Sequence, residues 1–190
     1  MKIERRPGTP LLPLPLVLAT VGTAQHANVI TIAWAGVVCS EPPMVSVAVR
    51  PARYSHELLQ ETRELVVNVP RASQVREVDL AGTVSGRDAD KFELCGFTRQ
   101  AASKVAAPLI ADCPVNLECV VRHQLALGSH DLFLAEVVAV HVDDDVLDAR
   151  GRIKADAVDP LSYVDGDYWT LRERVGRYGF SKRAPSKAED

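Results

Sequence analysis

The sequence lacks the features that identify several large classes of protein. Its 25 acidic and 22 basic side chains leave a formal charge of −3 at pH 7, so it has no strong basic field to attract nucleic acid or anionic lipid. No apolar run approaches the ~20 residues that span a bilayer. We therefore expect a cytoplasmic protein with neither a nucleic-acid nor a membrane partner.

The N-terminal region resembles a secretory leader only in part. Lys2, Arg5 and Arg6 precede an apolar run, residues 11–21, as in a signal peptide. Pro13 and Pro15 lie within this run and would disrupt a leader helix, whereas proline is tolerated near the start of a strand. We therefore interpret the run as the beginning of a folded domain.

Cysteine pairs typical of disulfide scaffolds and metal sites are also missing. The four cysteines include no CxxC pair, and a chain of 190 residues can bury a core without disulfides. Cys113 and Cys119 have the wrong spacing for a zinc knuckle, and no histidine pair follows them. Reduced thiols and no metal site are expected.

The motifs of common catalytic sites are absent as well. The sequence contains no GxGxxG after a strand, no GxxxxGK followed by Ser or Thr, no HExxH and no GxSxG. These absences weigh against a standard dinucleotide fold and a hydrolase triad. No catalytic residue is assigned.

What the sequence does contain is a series of short strand-like segments. Alternation of large apolar with smaller or polar residues predicts strands at residues 16–20, 29–33, 45–49, 65–69, 117–121 and 132–142. Helices interrupt them irregularly, without the strand–helix alternation of a doubly wound sheet. The pattern predicts one mainly β domain with short helices, an α+β or barrel architecture.

Four helices are expected between and after these strands. The predicted ranges are residues 55–63, 73–81, 89–95 and 167–175. Ser55 is expected to cap the first helix, and Trp169 is expected to anchor the last one by packing. Residues 181–190 are expected to be frayed.

Two local patterns suggest a ligand site, although each has an ordinary explanation. Arg53-Tyr54-Ser55-His56 brings together a cation, hydroxyl groups and the free N–H groups of a helix start, which suits phosphate. Taken alone, this segment is more simply a helix cap with a solvated arginine. Trp34 precedes small residues that would let a flat ring approach, but a lone tryptophan more often packs in a core.

Longer motifs in a fixed order resemble the flavin reductase-like family, specifically its flavoredoxin-type branch. The first is NVITIAWAGVVCSEPPMVSVAVRPARYSHELLQETRELVVNVP, residues 28–70. It is followed by SGRDADKF (85–92), APLI (107–110), LEC (117–119), GSHDLFLAEV (128–137) and YVDGDYWTLRERVGRYGF (163–180). Several motifs in order are far more specific than any single one.

This resemblance covers residues 13–180 of a single domain, residues 1–190. It implies an FMN-binding split β-barrel that forms a homodimer, with the flavin bound non-covalently near the interface. Carried over by motif position, the flavin-binding residues are Asn28, Thr31, Ala33, Trp34, Ser40, Arg53, Ser55, His56, Lys91, His130 and Tyr163.

Roles within this set differ. Residues 28–40 are expected to form one wall of the flavin site, and Arg53, Ser55 and His56 to take the phosphate. Lys91 is suited to stabilise the negative charge of a reduced flavin. Taken singly, Lys91 could instead be a surface cation, His130 a turn residue and Tyr163 peripheral packing.

The resemblance implies an oxidoreductase in which NADH or NADPH gives a hydride to flavin N5. The reduced flavin would then pass electrons to an acceptor, such as an electron-transfer or monooxygenase partner. An alternative is a flavoredoxin-like carrier that a protein donor reduces. A third is a haem-binding or purely structural dimer on the same fold.

Overall fold

The computed structural model describes residues 1–182, which form twelve β-strands and four α-helices. The helices are α1 (Tyr54–Thr62), α2 (Val75–Thr83), α3 (Lys91–Cys95) and α4 (Ala155–Val158). The strands are β1 (Leu14–Pro15), β2 (Val17–Gly22), β3 (Ala27–Ile32), β4 (Ala35–Ser40), β5 (Pro43–Val49), β6 (Glu64–Val69), β7 (Arg99–Gln100), β8 (Leu109–Ile110), β9 (Val115–Ala126), β10 (Asp131–Val142), β11 (Leu161–Val164) and β12 (Asp167–Thr170). The prediction of a mainly β protein with short helices is confirmed.

Seven strands form one antiparallel sheet in the order β3-β2-β6-β9-β10-β5-β4. The long strands β9 and β10 shift register at two points, and bulges of this kind bend and twist a sheet. The bent sheet brings its ends together, so that the amide of Ala48 in β5 donates to the carbonyl of Trp34, just beyond β3, at 2.9 Å. β3 runs into β4 through Ala33 and Trp34, so this bond extends the β4–β5 ladder to the end of β3 and forms the seam of a barrel.

The helices cover the barrel on two sides. Leu58 and Leu59 of α1 pack into the barrel core. α2 and α3 cover the outer face of β2 and β3, where Leu18 of β2 is buried against them. β2 is therefore buried along its whole length, which explains why its sequence is apolar at nearly every position.

Each of the six predicted strands overlaps a strand of the main sheet, and the first three predicted helices correspond to α1, α2 and α3. The predicted cap of α1 is wrong. The helix begins one residue earlier, its N-cap is Arg53, and no side chain caps it. The hydroxyl of Ser55 instead accepts a hydrogen bond from the side-chain amide of Asn28.

The predicted helix at residues 167–175 is also wrong. β11 and β12 form a hairpin around Asp165 and Gly166, whose φ angles of 49° and 101° suit a tight two-residue turn. Because Asp-Gly favours this turn, residues 167–170 pair as a strand. Trp169 is 56% exposed in this hairpin and does not anchor it by packing.

The predicted frayed end falls mostly on residues 183–190, which lie outside the described residues. Within residues 1–182, no helix is long and apolar enough to cross a membrane. The same residues contain no group of three or more His, Cys, Asp or Glu side chains placed to hold a metal ion.

A buried carboxylate fixes the loop that precedes β8. Glu118 of β9 is fully buried and accepts hydrogen bonds from the amides of Ser103, Lys104 and Val105. It also bonds to the Ser103 hydroxyl and to Nε2 of His141. Burial would raise the pKa of Glu118, but these donors outweigh it and lower the pKa to about 2.

We predict that Glu118→Gln lowers the free energy of unfolding by about 3 kcal/mol at pH 7, because an amide turns N–H groups toward these donors. Because the pKa of Glu118 is lower in the folded protein than its ordinary value of 4.5, the ionised carboxylate stabilises the folded state above pH 4.5. This contribution is lost as the pH falls toward 2. The difference between variant and wild type should therefore shrink over that range in urea titrations.

Glu136→Gln is the matched control, because Glu136 makes a part-exposed ion pair with Arg122 on the same two strands. We expect this change to cost less than about 1 kcal/mol. An equal loss at pH 7 and pH 3 for Glu118→Gln would contradict the assigned role.

Candidate functional site

The seam of the barrel opens into a cleft of about 320 Å³. The ends of β3 and β5, with the residues that follow them, form two of its walls, the end of α2 forms the floor, and the β11–β12 hairpin stands opposite. Its lining residues are 30–34, 48–50, Leu16, Arg53, Gly82, Thr83, His130, Tyr163 and Tyr168.

The floor of the cleft depends on a close contact between β3 and α2. The hydroxyl of Thr31 donates to the carbonyl of Val78 at 2.5 Å. A Cβ on Gly82 would lie 3.2 Å from Cβ of Thr31, closer than side chains ordinarily pack. Glycine at position 82 therefore lets the helix meet the strand and leaves the space above them open.

Aromatic rings line the mouth of the cleft. Trp34 and His130 stack with their ring centroids 4.4 Å apart and a tilt of 38°. On the other side, Tyr163 and Tyr168 meet edge to face at 6.0 Å. Tyr168 donates to Asp79 of α2 at 2.7 Å, which holds the hairpin against that helix. These walls suit a flat ligand.

The protonation state of His130 follows from its neighbours. Nε of Arg50 donates to Nε2 of His130 at 3.3 Å, so this ring nitrogen is an acceptor. The hydrogen is then on Nδ1, 2.9 Å from the hydroxyl of Ser129. Burial and the charge of Arg50 both lower the pKa of His130, which favours the neutral form of the ring beside Trp34.

The narrow end of the cleft continues into a cavity of about 50 Å³, and both spaces share Ile30, Arg53 and Gly82 as lining residues. This cavity lies at the N-terminus of α1, whose first turn has free N–H groups and no side-chain cap. The positive end of the helix therefore faces the cavity.

Three cations surround this small cavity: Arg53, Arg87 and Lys91. Arg87 pairs with Glu57 at 3.0 Å, and its guanidinium carbon lies 5.2 Å from the ring centroid of Tyr54. These contacts hold the turn at residues 85–87 against the start of α1. The narrow end is consequently a cationic, hydrogen-bond-donating site suited to phosphate.

Lys91 is the most deeply buried of the three cations. Its Nζ donates to the carbonyl of Ala81 at 2.7 Å and makes no ion pair within residues 1–182. Burial lowers its pKa to about 8, and the charge of Arg53 also lowers it. An anion in the cavity would offset both effects and favour the charged ammonium.

Asn28 and Ser55 form the back of the small cavity. Nδ2 of Asn28 donates to Oγ of Ser55 at 2.8 Å, and both side chains are buried. A Cβ on Gly86 would lie only 2.2 Å from Oδ1 of Asn28. The SGR turn can therefore approach β3 only because residue 86 is glycine.

Nine of the eleven predicted site residues line these two joined spaces; Ser40 and His56 do not. Ser40 ends β4, five residues beyond Ala35, where it pairs with Pro43 away from the cleft. His56 is the third residue of α1 and points inward, where its Nε2 bonds to Asp131 at 2.8 Å. It packs against Phe133 instead of facing the phosphate-binding end.

Sequence reasoning did not single out four features of the site. These are Arg87 with the adjacent Gly86, Arg50, Gly82 and Tyr168. Gly86 and Arg87 belong to the SGRDADKF motif, and Tyr168 follows the Asp-Gly turn signal. These two sequence signals could therefore have identified all three residues. Arg50 and Gly82 act through contacts with distant residues, which no local pattern reveals.

Comparison with known proteins connects this geometry to one family. The family model for the flavin reductase like domain matches residues 9–172. An uncharacterized protein of Archaeoglobus fulgidus is 35% identical over 140 residues, 74% of this chain and 78% of that protein. The reductase component of 4-nitrophenol 4-monooxygenase/4-nitrocatechol 2-monooxygenase from Rhodococcus opacus is 29% identical over 153 residues, 78% of this chain and 71% of that protein.

Solved structures agree with this match. The flavoredoxin of Desulfovibrio vulgaris (Miyazaki F) superposes with a TM-score of 0.90 and 29% identity, covering 96% of this chain and 100% of that one. An FMN-binding protein from Thermus thermophilus with bound 1-cyclohex-2-enone gives 0.80 and 25%, covering 93% and 99%. The predicted split-barrel fold is thereby confirmed.

Proposed function

This chain belongs to the flavin reductase-like family, and on that premise we propose that it is an oxidoreductase that binds FMN in the cleft. The observation that carries this proposal is the union of an aromatic cleft with a small cavity bearing three cations. This shape fits a flat ring at one end and a phosphate at the other. The flavoredoxin and the Thermus FMN-binding protein support it by similarity.

The wide part of the cleft holds the ring in this proposal. Thr31 and Ala33 lie under it, Trp34 and His130 form one wall, and Tyr163 forms the opposite one. When bound, FMN supplies the chemistry, accepting two electrons and passing them on. The side chains of the cleft bind the ring, orient it and exclude water.

The narrow end holds the phosphate. Arg53 and Arg87 supply charge, Ser55 and the N-terminus of α1 supply hydrogen-bond donors, and Asn28 orients Ser55. Lys91 adds a buried cation with N–H groups left over after its bond to Ala81. Because these groups come from α1, α3 and the turn between α2 and α3, a phosphate would tie the three segments together.

For the electron donor, we favour NADH or NADPH, with hydride transfer to the flavin and onward transfer to an acceptor such as a monooxygenase component. The likeness to the Rhodococcus reductase component supports this choice. The second candidate is an electron carrier that a protein donor reduces, which the likeness to flavoredoxin supports.

The assignment of the phosphate end predicts selective losses of affinity. We expect Arg53→Gln and Arg87→Gln each to weaken FMN binding by about tenfold or more, the loss of one charge-assisted hydrogen bond to phosphate. Riboflavin has the same ring without the phosphate, so its affinity should change much less. Flavin fluorescence titrations measure both constants.

Arg76→Gln is the matched control, because Arg76 is an exposed cation of α2 that does not line either space. We expect it to leave both affinities within about twofold of wild type, as an exposed charge contributes little. If the two arginine variants weakened FMN and riboflavin equally, the phosphate would not bind at this end.

Electron transfer is tested with FMN-loaded protein under anaerobic conditions. We expect NADH or NADPH to bleach the flavin absorbance near the visible maximum. Bleaching by a reduced electron-transfer protein, with neither pyridine nucleotide effective, would overturn the reductase proposal and establish the carrier instead. Protein that takes up no FMN in the titration would contradict both.

We also propose a homodimer, on the basis of exposed apolar residues. Within residues 1–182, the edge strand β4 pairs with β5 alone and exposes Val37 at 83% and Val38 at 50%. Val175 and Tyr178, after β12, are almost fully exposed. Apolar edge strands and tails of this kind are normally covered by another chain.

Sedimentation velocity tests the dimer. We expect about twice the mass of the 20.7 kDa chain, and dissociation when Val37→Asp places a charge on β4. Val75→Asp is the control, because Val75 is an exposed valine at the start of α2. A monomeric wild-type protein at micromolar concentration would disprove this part of the proposal.

A further inference from the structure

Arg87 closes the outer side of the small cavity at the narrow end. One terminal nitrogen of its guanidinium donates to the carbonyl of Ala52 at 3.3 Å, and the other donates to the carboxylate of Glu57 at 3.0 Å. The same group lies over the ring of Tyr54. Arg87 lines the cavity while its side chain is 49% exposed, so it stands between the cavity and solvent. We call Ala52, Tyr54, Glu57 and Arg87 the Arg87 clamp.

The clamp joins three separate segments of the chain. Arg87 belongs to the turn at residues 85–87, and its partners belong to the start of α1 and the residues just before it. The hydroxyl of Tyr54 is hydrogen-bonded to Nε2 of His26, in the turn between β2 and β3. A planar guanidinium with partners on both terminal nitrogens and on its face is held more firmly than one in a simple surface ion pair.

Tight packing closes the back of the same cavity. The turn at Gly86 lies so close to β3 that a Cβ at this position would overlap the side chain of Asn28. Asn28 and Ser55 are both buried. The cavity has a volume of about 50 Å³, whereas a single water molecule needs about 10–15 Å³. Its size therefore suits one phosphate group, and a longer chain of groups would have to leave through the clamp.

We propose that the Arg87 clamp makes the site selective for flavin mononucleotide against flavin adenine dinucleotide (FAD). The phosphate of FMN is a terminal monoester and ends inside the cavity. In FAD the same phosphate continues into a second phosphate, a ribose and an adenine, so it enters the cavity only when Arg87 releases Ala52 and Glu57. The inference rests on the proposed function, because it takes the flavin phosphate to lie at the narrow end.

Calorimetric titrations with riboflavin, FMN and FAD test the clamp without any turnover. The three ligands share one ring system and differ only beyond its side chain. We expect the wild-type protein to bind FMN at least about tenfold more tightly than riboflavin, because the phosphate adds charge-assisted hydrogen bonds. FAD should bind no more tightly than riboflavin, because its phosphate stays outside the closed clamp.

Two variants open the clamp in different ways. Glu57→Ala removes a partner of Arg87 but changes no residue that lines the cavity. We expect it to tighten FAD binding at least about threefold without weakening FMN, the scale of one part-exposed ion pair. Arg87→Ala removes the clamp together with a phosphate-binding cation. It should weaken FMN about tenfold and leave FAD no weaker than in the wild type.

Two matched controls separate the clamp from its charge and from the helix. Glu57→Gln removes the same charge as Glu57→Ala but keeps a carbonyl oxygen to which Arg87 can donate. Glu61→Ala makes the same substitution at an exposed glutamate of α1 that does not line the cavity. We expect both controls to keep the ratio of FAD affinity to FMN affinity within about twofold of wild type.

The outcomes separate this inference from the proposed function. Weaker binding of FAD than of FMN by the wild type, with a smaller difference in Glu57→Ala and Arg87→Ala, supports the clamp. Equal binding of FAD and FMN by the wild type overturns it while FMN at the site stands, as does an affinity ratio that Glu57→Ala leaves unchanged. Failure of all three flavins to bind overturns the proposed function itself.

Discussion

The hydrogen bond from the amide of Ala48 to the carbonyl of Trp34 continues the pairing of β4 with β5 at the seam of the barrel, where the cleft opens. β3 and β5 are separated by four strands in the sheet, and their ends meet because β3 runs through Ala33 and Trp34 into β4, which pairs with β5. Arg50 leaves β5 at the seam and reaches His130, which stacks on Trp34. α1 follows β5 after a short turn and therefore starts beside β3. The aromatic mouth and the cationic end are thus both built from residues that follow β3 and β5 at the seam.

Two buried charges in this protein are stabilised in opposite ways. Glu118 receives hydrogen bonds from three backbone amides, a hydroxyl and His141, so its charge is satisfied by the chain itself. Lys91 is nearly as buried but donates to one carbonyl, and its lowered pKa records the remaining cost of desolvation. The Lys91 ammonium has one hydrogen-bond acceptor and lies near Arg53 and Arg87, which is unfavourable for folding but favourable for binding an anion. Glu118 therefore stabilises the fold, whereas Lys91 contributes to the anion-binding end of the site.

The sequence predicted the strands, three helices and most of the site, because each depends on a local pattern or an ordered motif. Where the structure departs from the expected placement, the causes are physical. His56 was assigned to phosphate with its neighbours, but one step along a helix turns a side chain by about 100° and points it inward toward Asp131. Ser40 was assigned with the strand before it, although β4 runs away from the seam. The tail helix was predicted from helix-forming residues, whereas Asp165 and Gly166 impose a hairpin.

The two functions considered for the site make different demands on the space beside the flavin. A carrier needs only that an edge of the flavin ring approach a protein partner. It requires no second small-molecule site beyond the aromatic mouth. A reductase needs a second small molecule to reach the ring, and hence an adjoining space of its own. A cavity of about 760 Å³ lies beside the cleft and shares Trp34 and Tyr163 with it. The structural difference between the two functions is therefore what faces these two rings, a small molecule in a reductase and a partner protein in a carrier.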